Sequence, residues 1–170
     1  MPDAVKSNRS IIYNMLFFAG KDHAFMEESR DPREETFGHL VTLLDQALLG
    51  DVALYATHSF ADPFVDINAP LTGRVVVLTR TLIASVDVRS GLRMSVDLVP
   101  LRTITSVTVV LGGESTFVGH PSWGGFGVQA KVSGGSTSTV LSLPAVRSSG
   151  RNATEFAGFY PKLIEALRTP

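Results

Sequence analysis

The chain is expected to fold as a mainly β, α+β protein: a small antiparallel barrel or sandwich closed by one C-terminal helix. Seven β-branched and aliphatic segments follow one another between Asp51 and Pro144. Several of them alternate apolar and polar residues with period two, the mark of a half-buried strand. After Pro144 the apolar period lengthens to that of a helix.

The strand segments are 52–60, 74–79, 82–88, 92–98, 104–111, 126–133 and 136–143. In Met94-Ser95-Val96-Asp97-Leu98 the apolar residues share one face, as they do in Val128-Gln129-Ala130-Lys131-Val132. One wet face and one dry face is the antiparallel pattern. Arg89-Ser90-Gly91, Val99-Pro100, Leu111-Gly112-Gly113 and Ser133-Gly134-Gly135 are turn-forming connectors. The tight links make hairpins of the third and fourth segments and of the sixth and seventh. Two loops are longer: 61–73, with Pro63 and Pro70, and 112–125, with the only tryptophan.

The last element spans 153–167. Asn152 is placed to cap it, with Glu155 as the reciprocal acid. Phe156, Phe159, Tyr160, Leu163, Ile164 and Leu167 form its apolar stripe. Pro161 lacks a backbone donor, so a kink or a break into two helices is expected there.

Residues 1–50 read as a helical extension in front of a β domain at 51–170. A first helix, 10–19, should stop at Gly20, a residue that tolerates positive φ. Asp22 is placed to cap a second stretch, 23–30. The third has the fullest start signal: Asp31 as N-cap, Pro32 at the first position and Glu34 three residues after the cap. Phe37, Leu40, Val41, Leu44 and Leu48 give it one apolar face, and Gly50 ends it. That face must dock on the β domain or on another chain; periodicity does not choose.

At 170 residues the chain can bury a core without a staple. It has no cysteine, which excludes disulfides, thiolate metal sites and cysteine nucleophiles and fits a reducing, cytoplasmic setting. A formal net charge of −1 supplies no field for nucleic acid or an anionic membrane. Only 18% of residues are charged, a signal that some surface is covered in a homo-oligomer. The apolar run from Ile11 to Ala19 follows Lys6 and Arg9, as a leader would, but Tyr13 and Asn14 interrupt it. It is expected to be a buried or interface helix, with no integral membrane segment in the chain.

Little in the chain points to catalysis. His23, His39, His58 and His120 have no ligand spacing, so no metal is expected. Gly125-Phe126-Gly127-Val128-Gln129-Ala130 has the letters of a dinucleotide loop, but a strand follows where a helix is needed. His120-Pro121-Ser122-Trp123-Gly124 has the outline of a nucleophile elbow, again without the helix. Asn152-Ala153-Thr154 has the form of a glycosylation sequon, for which capping by Asn152 is sufficient explanation.

Gly73-Arg74-Val75-Val76-Val77-Leu78-Thr79-Arg80-Thr81-Leu82-Ile83, then Val86-Asp87-Val88-Arg89-Ser90-Gly91, then Val96-Asp97-Leu98-Val99-Pro100-Leu101-Arg102-Thr103-Ile104-Thr105-Ser106-Val107 carry a resemblance. They resemble the bacterial pleckstrin-homology-like domains of the PH/GRAM superfamily, with Leu101 where that family often has an aromatic. The resemblance covers 51–168 and rests mostly on structural positions. It implies a seven-stranded, bent antiparallel barrel capped by a C-terminal helix, and an adaptor or scaffold role. Eukaryotic relatives bind phosphoinositides through basic residues of the first hairpin. Here that loop carries Asp62 and Asp66 and no cation before Arg74, so phosphoinositide binding does not carry over. Phe156 or Phe159 stands in for the tryptophan common in the C-terminal helix of those relatives.

The expectation is therefore a non-catalytic PH-like binding or scaffold module without cofactor, acting through protein contacts and self-assembling. Trp123, His120, Phe64 and Arg74 are the candidate interaction residues. Trp123 is a lone tryptophan in a glycine-rich loop, either a hot spot or a lid. The alternative is a small-ligand or lipid-binding β-barrel with a pocket of ~300 Å³ or more framed by the two long loops. A mouth filled by Phe156, Phe159 and Leu163 would count against it.

Overall fold

A computed structural model describes residues 7–20, 23–27, 31–66, 68–89, 91, 93–111, 126–134, 137–145 and 150–169. Helices α1 (Asn8–Phe17) and α2 (Arg33–Leu48) come first. Strands β1 (Tyr55–His58), β2 (Gly73–Leu78), β3 (Leu82–Val88), β4 (Asp97–Pro100), β5 (Ile104–Leu111), β6 (Phe126–Gly134) and β7 (Thr137–Leu143) follow. Helix α3 (Gly150–Arg168) comes last. The α+β class and the antiparallel pairing are as expected.

The closed seven-stranded barrel is not. The strands divide into a four-stranded sheet, β1-β2-β3-β4, and a three-stranded sheet, β5-β6-β7. The division falls at Pro100, which ends β4 and has no N–H to continue a ladder. A 3-10 turn, Leu101–Thr103, then carries the chain from one sheet to the next. The Leu101 N–H bonds to the Thr81 carbonyl at 2.7 Å, fixing that corner against the β2–β3 turn.

Strand β1 and most of β2 are buried on both faces, which explains the unbroken Val75-Val76-Val77-Leu78 run, whereas β4 at the edge is largely exposed. Val75, Val77, Ala84, Val86 and Val88 face a core shared with Leu16, Phe17, Phe37, Leu40 and Leu44 of the first two helices. Tyr55, Val76, Leu78 and Ile83 face a second core. It is completed by Val128, Ala130, Leu141 and Leu143 of the smaller sheet and by Phe156, Phe159 and Leu163 of α3. The N-terminal helices thus pack on the sheet of their own chain.

Polar contacts reinforce this packing. The Asn8 carboxamide donates to the Asp51 carbonyl at 3.1 Å and accepts from the Ala53 N–H at 3.0 Å. Arg151 at the start of α3 lies 4.4 Å over the Phe18 ring, a cation–π contact between the two ends of the chain.

Several local expectations need correction. Of the stretch 23–30, residues 23–27 are described and are not helical. Phe18 rather than a residue beside Gly20 caps α1 at its C-terminus, and Ser7 caps its start by accepting from the Ser10 N–H. Pro32 occupies the formal cap position of α2. Asp31 still serves the helix start, because its Oδ1 accepts the Arg33 N–H at 3.0 Å. Leu49 and Gly50 end α2 with φ of 48° and 85°. Asn152 is not a cap: α3 begins at Gly150, and Asn152 is buried within its first turn. The helix continues through Pro161, which is exposed. Segment 92–98 forms a ladder only from Asp97.

Candidate functional site

Trp123 and His120 lie outside the described residues. Phe64 and Arg74 are placed, and they differ in kind.

Phe64 sits at the tip of the β1–β2 connection. It is 60% exposed and its neighbour Val65 is 83% exposed. Two successive turns shape the tip. Asp62 Oδ1 accepts the Phe64 N–H at 2.9 Å, and Asp66 Oδ1 accepts the Asn68 N–H at 3.0 Å. Aspartate favours such turns because its carboxylate reaches the amide two residues on. The Asp62 carbonyl accepts from Val65 and the Asp66 carbonyl from Ala69, each at 3.2 Å.

The loop is anchored from below by α2. Arg33 Nη1 donates to the Asp66 carbonyl at 3.3 Å, and Nη2 approaches the Pro63 carbonyl at 3.5 Å. The guanidinium is itself held by Asp31, with Nε to Oδ1 at 2.8 Å and Nη2 to Oδ2 at 2.7 Å. Both side chains are shielded, 5% exposed for Arg33 and 2% for Asp31. Asp31 also accepts the Met26 N–H at 3.1 Å. The Arg33 side chain is the main reason the Asp31 carboxyl is held down at about 2; burial opposes it, and the amides of Arg33 and Met26 assist.

The loop's ends are fixed as well. Phe60 stacks on His58 with ring centroids 4.2 Å apart, and the Phe60 N–H donates to His58 Nδ1 at 3.1 Å. Gly73 closes the loop with φ of 147°, and a Cβ there would lie 2.9 Å from the Ser59 carbonyl oxygen. Only glycine fits both conditions. An apolar pair is therefore held outward on a pinned support, the arrangement that lowers the entropy lost on contact.

Arg74 is already engaged. It stands opposite Asp87 in the β2–β3 ladder, with Nε to Oδ1 at 2.8 Å and Nη2 to Oδ2 at 3.1 Å. The two-pronged bond is the main cause of the lowered Asp87 pKa. Arg74 borders a recess of about 370 Å³ with Ser59, Val140 and Ser142.

The space between the sheets is filled by side chains. Tyr55 lies 5.1 Å from Phe156 and 6.2 Å from Phe159, ring centroid to ring centroid. Phe156, Phe159 and Leu163 are all buried. This is the filled mouth that counts against a ligand between the sheets. Among the described residues no group of three or more His, Asp or Glu could hold a metal ion, and no helix is long and apolar enough to cross a membrane.

Sequence reasoning named Phe64 but missed Val65, Asp31 and Arg33 as parts of one unit. One signal was present. A cation in the first turn of a helix opposes the macrodipole, so Arg33 needed another partner. No family model, curated protein or solved structure matches this chain.

Proposed function

We propose that the chain is a non-catalytic PH-like binding module that acts through protein contacts, the first of them with copies of itself. The observation that carries this reading is the exposed Phe64–Val65 pair on a loop anchored by buried Arg33. Rigid, exposed apolar residues are the usual centre of an interface, where they contribute most of the binding energy. The PH-like part is supported by the order of elements: seven antiparallel strands, then a helix whose aromatic face packs against both sheets.

Light scattering across a concentration series tests it. The native chain is expected to exceed the monomer mass. Replacing both Phe64 and Val65 with serine should lower that mass towards monomer while leaving the melting temperature in place. A native chain that stays monomeric at every concentration would remove self-assembly from the reading. An assembly untouched by the double substitution would move the contact to another surface.

A further inference from the structure

At the opposite end of β2 from the Phe64 loop, a groove of about 750 Å³ lies between α3 and two turns. The turns are β2–β3, with Arg80 and Thr81, and the 3-10 turn, with Leu101 and Arg102. Leu82, Pro100, Leu101 and Ala166 form the apolar part of its lining. Among the described residues of the lining, Arg80, Arg102 and Lys162 stand beside one carboxylate, Glu165.

Both arginines sit on pinned turns. Thr79 Oγ1 accepts the Thr81 and Leu82 N–H groups at 3.1 and 2.9 Å. Asp51 Oδ2 accepts both hydroxyls of that turn, Thr79 at 2.6 Å and Thr81 at 2.9 Å. The Thr103 hydroxyl closes the 3-10 turn on the Pro100 carbonyl at 2.6 Å. Asp51 is therefore engaged by hydroxyls rather than by the arginines. Among the described residues, Arg80, Arg102 and Lys162 form no ion pair.

We infer that this groove takes an acidic peptide segment of a partner protein that also carries an apolar side chain. Charge complementarity selects the acid: among the described residues of the lining, three cations from three elements stand beside one carboxylate. The apolar part of the lining, Leu82, Pro100, Leu101 and Ala166, selects the apolar side chain. A small inorganic anion would leave that apolar lining uncovered. A bilayer is flat and would not reach into a recess, and the chain's net charge of −1 gives no longer-range attraction to an anionic surface.

The probe is a fluorescein-labelled peptide of alternating glutamate and leucine, with all-glutamate and lysine–leucine peptides beside it. Anisotropy should show saturable binding of the glutamate–leucine peptide, several-fold weaker binding of the all-glutamate peptide and none of the lysine–leucine peptide. In the Arg80→Glu/Arg102→Glu variant the affinity should fall at least tenfold. Both arginines are exposed, so thermal melting by circular dichroism should be unchanged and will separate lost binding from lost folding. Amide shifts on titration should centre on Arg80–Leu82, Leu101–Arg102 and Lys162–Thr169. Equal binding by native chain and variant, shifts centred elsewhere, or no saturable binding would overturn the assignment. So would capture by phosphatidylserine vesicles in preference to the peptide. Repeating the titration with Phe64 and Val65 replaced by serine keeps this result independent of self-assembly.

Discussion

The Tyr55 hydroxyl donates to Asn152 Oδ1 at 2.7 Å, and both residues are fully buried. Asn152 Nδ2 donates in turn to the Ala56 carbonyl, also at 2.7 Å. One carboxamide thus joins α3 to β1 in the middle of the second core. Asn152→Ala would leave the Ala56 carbonyl without this partner and the Tyr55 hydroxyl with Thr57 alone, and a buried unsatisfied polar group costs about 1–3 kcal/mol. The expected loss is about 3 kcal/mol by urea denaturation. Tyr55→Phe should lose less, because the ring contacts with Phe156 and Phe159 remain. Strict additivity in the double variant would show that the two side chains are not coupled.

Asn152 also marks the limit of what the sequence discloses. An asparagine ahead of an apolar stripe reads as a cap, and its true partners are 96 and 97 residues away. Local pattern was informative where structure is local. Segments 82–88 and 104–111 match their strands to the residue. Met94-Ser95-Val96 alternates as expected in burial, with Met94 and Val96 packed against the first core, yet makes no ladder because pairing with β3 begins at Asp97. Alternation reports which face a side chain takes; hydrogen bonding depends on where the neighbouring strand runs. The division into two sheets depends on the corner at Pro100, read from sequence as a simple turn. The Asp31–Arg33–loop unit joins residues 33 positions apart, a distance that periodicity does not reach.

His58 should make stability fall in mild acid. It is buried beneath α1, beside Leu16, and burial pushes its pKa down to about 4 from an ordinary 6.5. Nδ1 is used by the Phe60 N–H, and Nε2 has no hydrogen-bond partner, the Leu16 carbonyl being near but outside bonding geometry. The fold therefore holds the neutral ring, and the unfolded chain binds the proton more readily. Stability is complete above pH 6.5 and drops as pH falls towards 4, by about 3 kcal/mol over the window. Denaturation midpoints at several pH values should trace that slope. His58→Asn keeps an acceptor and does not titrate; a slope that survives in this variant would assign it to other groups.

Removing residues 1–50 should not release a stable β domain. Val75, Val77, Ala84, Val86 and Val88 would lose their cover from Leu16, Phe37, Leu40 and Leu44. The exposed sheet face would be a contiguous apolar patch, which drives association. A chain starting at Asp51 is expected to aggregate or to bind a hydrophobic dye strongly. A well-dispersed, cooperatively melting monomer would show instead that the helices are a separable unit.

Arg33 links the helical layer to the Phe64 loop, so its loss should be felt in both places. Arg33→Met keeps the bulk and removes the charge, leaving the Asp31 carboxylate buried with only its N–H donors, Met26 and the residue 33 amide. Breaking one side of a buried pair costs about 3–5 kcal/mol. Asp31→Asn added to Arg33→Met should recover part of that loss, because no charge then remains to be buried. The acid limb should shift as well. With its pKa held at about 2 against an ordinary 3.8, Asp31 contributes stability that is present above pH 3.8 and lost as pH falls towards 2. Without Arg33 the loss should begin at higher pH. Hydrogen exchange of the Val65 and Ala69 amides decides whether the arginine also holds the loop, since those bonds form its two turns. Faster exchange there in the doubly substituted chain, where overall stability has partly returned, ties the loop to Arg33; unchanged exchange would confine Arg33 to its partnership with Asp31.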